Sequence, residues 1–146
     1  IEWIESTQKQ YANIQAMLGG IGAISLLVAA IGITNTMMMS IYERTKEIGV
    51  MKVLGCDMRN IQAMFLMEAA DIGLVGGIVG LGISYLISMI INKVVAASGN
   101  MSSLSYIPLW LAGASVIFAV VIGMAAGYFP SKRAMKLSPL AAIRNE

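Results

Sequence analysis

This chain has little charge. Asp, Glu, Lys and Arg make up 12% of its 146 residues, about half their share of an ordinary soluble domain. Histidine is absent, cysteine occurs once, as Cys56, and proline three times. A lone cysteine excludes a disulfide within the chain, and Cys56 reads as a space-filling residue. No paired acids, metal ligands or nucleophile–base set lie inside the apolar stretches, which makes a membrane-embedded enzyme the weakest reading. An initiator methionine is also missing, and the opening Ile1-Glu2-Trp3-Ile4-Glu5 shows neither the basic region nor the short apolar core of a secretory signal. The chain reads as part of a longer protein.

What fills the space is hydrophobic, at 58% of residues. Three stretches lack any ionisable side chain of the Asp, Glu, Lys or Arg type: 10–42, 72–92 and 94–131. Each exceeds the roughly 20 residues that cross a bilayer. The expected spans lie near 18–39, 72–91 and 109–129. They are apolar all round, whereas helices of a soluble bundle would carry polar faces at the helical period. The fold class is therefore all-α, an integral membrane helical bundle.

Orientation follows from the basic residues, which are retained on the cytoplasmic side. Arg44, Lys46, Lys52, Arg59, Lys132, Arg133, Lys136 and Arg144 fall on one side of the spans; Lys9 and Lys93 fall on the other. The expectation is an N-terminus outside, a C-terminus inside, and Cys56 in a reducing compartment. The resulting organisation has an outer helix end at 1–17, spans at 18–40, 69–92 and 109–130, a charged hairpin at 41–68, an outer loop at 93–108 and an inner tail at 131–146. Ile4, Tyr11, Ile14 and Leu18 form a stripe on the first of these that suits a partner helix.

Glycine marks where helices meet. Gly73-x3-Gly77 and Gly76-x3-Gly80 in the second span are expected to put small residues on one face, and Gly123-x3-Gly127 lies in the third, so that backbones can approach closely. The pattern predicts helix–helix contact and leaves open whether it lies within one chain or between two. Thr34-Asn35-Thr36 in the first span reads as a packing element that bonds across an interface or back to its own carbonyls. Pro130, after Tyr128 and Phe129 at the interface, is expected to end the third span, since proline cannot continue a helix without losing a hydrogen bond.

The densest charge lies at Tyr42-Glu43-Arg44-Thr45-Lys46-Glu47-Ile48-Gly49-Val50-Met51-Lys52-Val53-Leu54-Gly55. No proline interrupts 18–54, so helix can continue from the span into this segment, with room for a bend. Ile41, Thr45, Ile48 and Met51 share one face, and the charges occupy the rest. Gly55 suits the left-handed position after a helix end, and Asp57 suits the cap of the next helix. That next arm, 58–68, is expected to lie at the inner membrane surface, with Glu68 and Asp71 at the aqueous boundary. Four acids and four bases between Glu43 and Glu68 nearly cancel. Lipid attraction would be weak, and a balanced helical hairpin suits a protein partner.

Thr36-x4-Ile41-Tyr42-Glu43-Arg44-Thr45-Lys46-Glu47-Ile48-Gly49-Val50-Met51-Lys52-Val53-Leu54-Gly55 resembles the run after the second transmembrane helix of the FtsX-like permease domain, above all in MacB-type ABC exporters. Gly127-x2-Pro130-x3-Ala134-x2-Leu137-x-Pro139-x2-Ala142-Ile143 is similar to the tail of the same permeases. The resemblance implies the last three of four transmembrane helices, with 1–17 as a stalk descending from an extracellular domain. It implies two permease chains paired in a bacterial plasma membrane, each docked on an ATP-binding cassette subunit, and an extracellular adaptor protein as a further partner. Glu43, Arg44, Lys46, Glu47, Ile48, Gly49, Lys52, Leu54 and Gly55 would then belong to the coupling helix, with the tail at Pro130, Leu137 and Pro139 nearby. The chain has no Gly-x4-Gly-Lys-Ser/Thr loop. No cofactor is expected on it, ATP and magnesium belong to the partner ATPase, and no nucleic acid is expected. The function so implied is a non-enzymatic permease that transmits ATPase motion outward and exports antimicrobial, peptide or similar substrates. A cell-division protein acting on a cell-wall hydrolase, or a lipoprotein-releasing permease, are the alternatives within the same resemblance.

Overall fold

The computed structural model describes residues 1–99 and 103–136. Four helices account for nearly all of them: α1 (Glu2–Glu43), α2 (Thr45–Val53), α3 (Met58–Ala97) and α4 (Leu109–Met135). No strand occurs among the described residues. Of the expected tail 131–146, residues 137–146, with Leu137 and Pro139, lie outside them.

The three long helices are each apolar and long enough to cross a membrane. With its 42 residues, α1 extends about 63 Å at 1.5 Å per residue, roughly twice the hydrocarbon thickness. The predicted outer helix end and first span are therefore one uninterrupted rod. Its N-terminal half, including Trp3, Ile4, Tyr11, Ile14 and Leu18, is exposed in the chain. Gly19, Gly20, Gly22 and Gly32 have no neighbour within 4 Å of an added Cβ.

The tightest seam joins α3 to α4. A Cβ built on Gly73 would stand 2.5 Å from the Ala119 carbonyl oxygen, and one on Gly123 would stand 2.7 Å from the Ala69 oxygen. One on Gly77 would stand 2.9 Å from the Ala119 Cβ, and one on Gly127 would collide with the Ala69 Cβ. Ala69, Gly73 and Gly77 recur every fourth residue, so one stripe of α3 meets the small stripe of α4 backbone to backbone. Gly76 and Gly80 meet nothing within 4 Å. The two overlapping glycine motifs of the second span thus face different ways. The expectation that all four glycines share one packing face is corrected: a step of three residues turns the helix by about 300°, which carries Gly76 off the seam that Gly73 occupies.

Pro130 does not end the third helix, contrary to expectation. It is buried inside α4, which continues to Met135. Proline has no N–H to donate to the carbonyl four residues earlier, that of Ala126. Thr34 of α1 donates its hydroxyl to that same oxygen at 2.9 Å, sharing it with its own Ala30 oxygen, also at 2.9 Å. In a medium without water, the carbonyl that proline leaves free is met by a neighbouring helix. We expect Thr34→Val to destabilise the chain by about 1 kcal/mol, and to cost much less in a Pro130→Ala background, where residue 130 regains an N–H. A double-mutant cycle on unfolding in detergent measures this, and zero coupling would contradict it.

The second hairpin arm also departs from expectation. Residues 58–68 form the start of α3 itself, with no separate surface helix, because nothing between Met58 and Asp71 breaks the helix.

Candidate functional site

The main buried core lies at the charged end of the bundle. Met37 and Ile41 of α1, Ile48 of α2, Ile61, Phe65 and Ala69 of α3, and Ala134 of α4 form one cluster, with Ile33, Met51 and Ile72 packed against it. All four helices meet here. The face predicted from Ile41, Thr45, Ile48 and Met51 is the one turned inward.

Local sequence explains how α2 is set. At Arg44 the backbone leaves the helical region (φ −98°, ψ 15°). Next to it, the Thr45 hydroxyl donates back to the Ile41 and Tyr42 carbonyls, each at 2.9 Å. Such back-bonding bends helices, and here it separates α1 from α2. At the other end Gly55 takes φ +88°. Its N–H donates to Lys52 O at 3.2 Å, and Cys56 N–H donates to Met51 O at 3.0 Å. This pair of bonds closes the helix as a Schellman motif. Asp57 then accepts from Arg59 N–H at 3.4 Å and caps α3. Both turn signals read from the sequence stand where they were expected.

The predicted coupling residues divide into two groups. Ile48 and Gly49 are buried, so they seat α2 and are not available to a partner. Lys52 turns inward as well: its ammonium donates to the carbonyls of Ala134 (3.2 Å) and Met135 (2.7 Å) at the end of α4. A cation there complements the negative end of the helix dipole. Partial burial pulls the Lys52 pKa below its ordinary 10.5. Arg44 pairs with Glu68 at 3.4 Å across to α3, which fits Glu68 as a boundary residue. Glu43, Lys46, Glu47, Leu54 and Gly55 remain exposed.

Two members of the exposed face were missed from sequence. Val50 and Val53 stand 52% and 64% exposed beside Leu54 at 79%. Their spacing of three and four places these apolar side chains together on the outside of α2. The signal was present in the same heptad that gave Ile48 and Met51, but two apolar stripes on so short a helix cannot be ranked without knowing which one the bundle covers.

At the opposite end Asn92 ties the segment before α4 to α3, another cluster that the sequence reading passed over. Its amide donates to Ser105 O at 2.8 Å, and its oxygen accepts from Leu104 N–H at 3.1 Å and Ser105 N–H at 3.0 Å. Ser88, one turn earlier, donates to the Ser105 hydroxyl at 2.8 Å. The Ser88-x3-Asn92 spacing was the available signal.

A glycine-packed bundle of helices long and apolar enough to cross a membrane, with a short amphipathic helix seated across one end, defines a polytopic membrane protein. The chain belongs to the FtsX-like permease family, since residues 19–139 match the family's FtsX-like permease C-terminal domain. It is 42% identical over 127 residues to an ABC transporter permease of Methanocaldococcus jannaschii, covering 87% of this chain and 32% of the relative. It is 40% identical to the ABC transporter permease YtrF of Bacillus subtilis, over 86% of this chain and 31% of that protein. It is 36% identical to the macrolide export ATP-binding/permease protein MacB of Neisseria gonorrhoeae, over 99% of this chain and 21% of MacB. The chain thus spans between a fifth and a third of the length of these relatives.

Proposed function

We propose that this chain is the membrane-spanning end of an ABC exporter permease, and that an ATP-binding cassette partner docks on the outer face of α2. The observation that carries this reading is the two-sidedness of α2. One face is sealed into the four-helix cluster through Ile48, and the other presents Lys46, Glu47, Val50, Val53 and Leu54. A patch with an apolar centre and charges of both signs fits a folded protein better than a lipid surface.

The same geometry supplies a route for force. A push on α2 reaches α1 and α3 through Ile48, Met37, Ile41 and Phe65, and reaches α4 through Lys52. The unbroken α1 carries displacement to its far end, at least 20 Å beyond a single membrane thickness. ATP and magnesium belong to the partner. In this reading the charged end faces the cytoplasm, the start of α1 lies outside beside an adaptor, and a second permease chain covers the open Gly76 and Gly80 face. Antimicrobial, peptide or similar molecules are the substrates in this reading, by analogy with MacB, which is named for macrolide export.

Cross-linking tests the docking. With Cys56→Ser and Glu47→Cys in the full-length protein, we expect a cross-link to the ATPase that changes in yield on ATP binding. A cross-link from Leu104→Cys at the other end of the bundle, with none from position 47, would overturn the assignment.

A further inference from the structure

We infer that the last turn and a half of α4 is a binding site for the headgroup of an anionic phospholipid. Tyr128, Phe129, Lys132, Arg133 and Lys136 line an open groove on the outside of α4 at its charged end. Lys132 and Arg133 follow the two aromatic residues by four positions, and Lys136 follows Lys132 by four. On a helix this gathers all five side chains within about 140° of arc. The two rings stand 52% and 66% exposed, and the three cations are exposed too.

Three features distinguish this groove from an ordinary solvated helix end. First, the helix end needs none of these cations: Lys52 of α2 already occupies the Ala134 and Met135 carbonyls, so the charges of α4 point elsewhere. Second, none of the three pairs with an acid among the described residues, whereas Arg44 pairs with Glu68. Three unmatched cations on one face attract an anion, in contrast to the balanced charge of α2. Third, the rings come immediately before the cations along the helix, at the end of the uncharged run 94–131. Aromatic rings settle at headgroup depth, and a cation one turn further out meets the phosphate plane. A lipid supplies both halves of this chemistry, an acyl-chain boundary for Tyr128 and Phe129 and a phosphate for Lys132, Arg133 and Lys136. An acidic protein surface would match only the cations.

The site is joined to α2 by Lys52, so an occupied headgroup groove would fix the helix end on which α2 leans. This inference does not depend on an ATPase docking at α2.

The test uses the full-length protein in detergent, titrated with phosphatidylglycerol and with phosphatidylcholine, and bound lipid is read by native mass spectrometry. We expect a preference for phosphatidylglycerol that falls about fivefold for each of Lys132→Gln, Arg133→Gln and Lys136→Gln, and about 100-fold in the triple variant. The charge-keeping pair Lys132→Arg with Lys136→Arg should retain the preference. If the triple variant does not purify, the three single variants carry the same expectation. The proposal fails if the preference survives neutralisation, or if Lys46→Gln with Arg59→Gln lowers it equally. It also fails if millimolar inorganic phosphate competes the lipid away, which would mark a free-anion site. A triple variant that keeps its lipid preference but loses ATPase association would instead make this a protein-docking face.

Discussion

Gly73→Leu is expected to abolish the folded bundle. The added Cβ alone would stand 2.5 Å from the Ala119 carbonyl oxygen and 3.1 Å from the Val120 Cα. Both are backbone atoms, and a helix backbone cannot rotate out of the way as a side chain can. Overpacking a core costs about 1–3 kcal/mol when side chains can yield, and here relief requires α3 and α4 to separate. Separation would open the whole seam from Gly77 to Gly127 and strip the small-residue contacts on which helix association in lipid depends. The checks are the amount of full-length protein in the membrane and its melting temperature in detergent. Gly76→Leu and Gly80→Leu are the matched comparison: the same side chain on the same helix, entering open space within this chain. They should leave the melting temperature near that of the unmodified protein and, under the proposed pairing of two permease chains, weaken that pairing. A Gly73→Leu protein that accumulates and melts normally would show that the seam is not where the bundle is held.

The second large effect lies on function. Under the proposed docking role of α2, Val53→Glu with Leu54→Glu should reduce ATP-driven export at least tenfold and leave insertion and melting temperature unchanged. Both side chains are exposed, at 64% and 79%, so the bundle loses no packing. A docked partner would have to bury two carboxylates against its own apolar surface, at several kcal/mol unless new cations meet them. Ile48→Glu supplies the contrast. Ile48 is fully buried, and a carboxylate there should unseat α2 and lower stability as well as export. If the Val53, Leu54 double variant exported normally, the outer face of α2 would have no part in transmission.

Much of this architecture was legible in the residues. Long uncharged runs give three spanning helices because lipid tolerates neither charge nor unsatisfied backbone. Gly55 and Asp57 announced the turn between α2 and α3 because each answers a local backbone demand. Three features were not legible, and each depends on a residue far away in sequence. The sequence could not say that Gly73 and Gly77 meet Ala119 while Gly76 and Gly80 stay open, since the repeat of four occurs in both pairs. Pro130 looked like a helix end because the donor for the freed Ala126 carbonyl, Thr34, is 92 residues from Ala126. Val50 and Val53 were passed over because two apolar stripes compete on α2, and only the position of Phe65 and Met37 decides which is covered.

Equilibrium binding of the ATPase to the full-length permease in lipid nanodiscs tests the docking role of α2 most directly. Three proteins are compared: the unmodified chain, Val53→Glu with Leu54→Glu, and Lys93→Glu at the far end of the bundle as a control for charge. The α2 variant should bind at least tenfold more weakly, and the Lys93 variant should bind like the unmodified protein. Equal affinity for all three would contradict a docking role for α2.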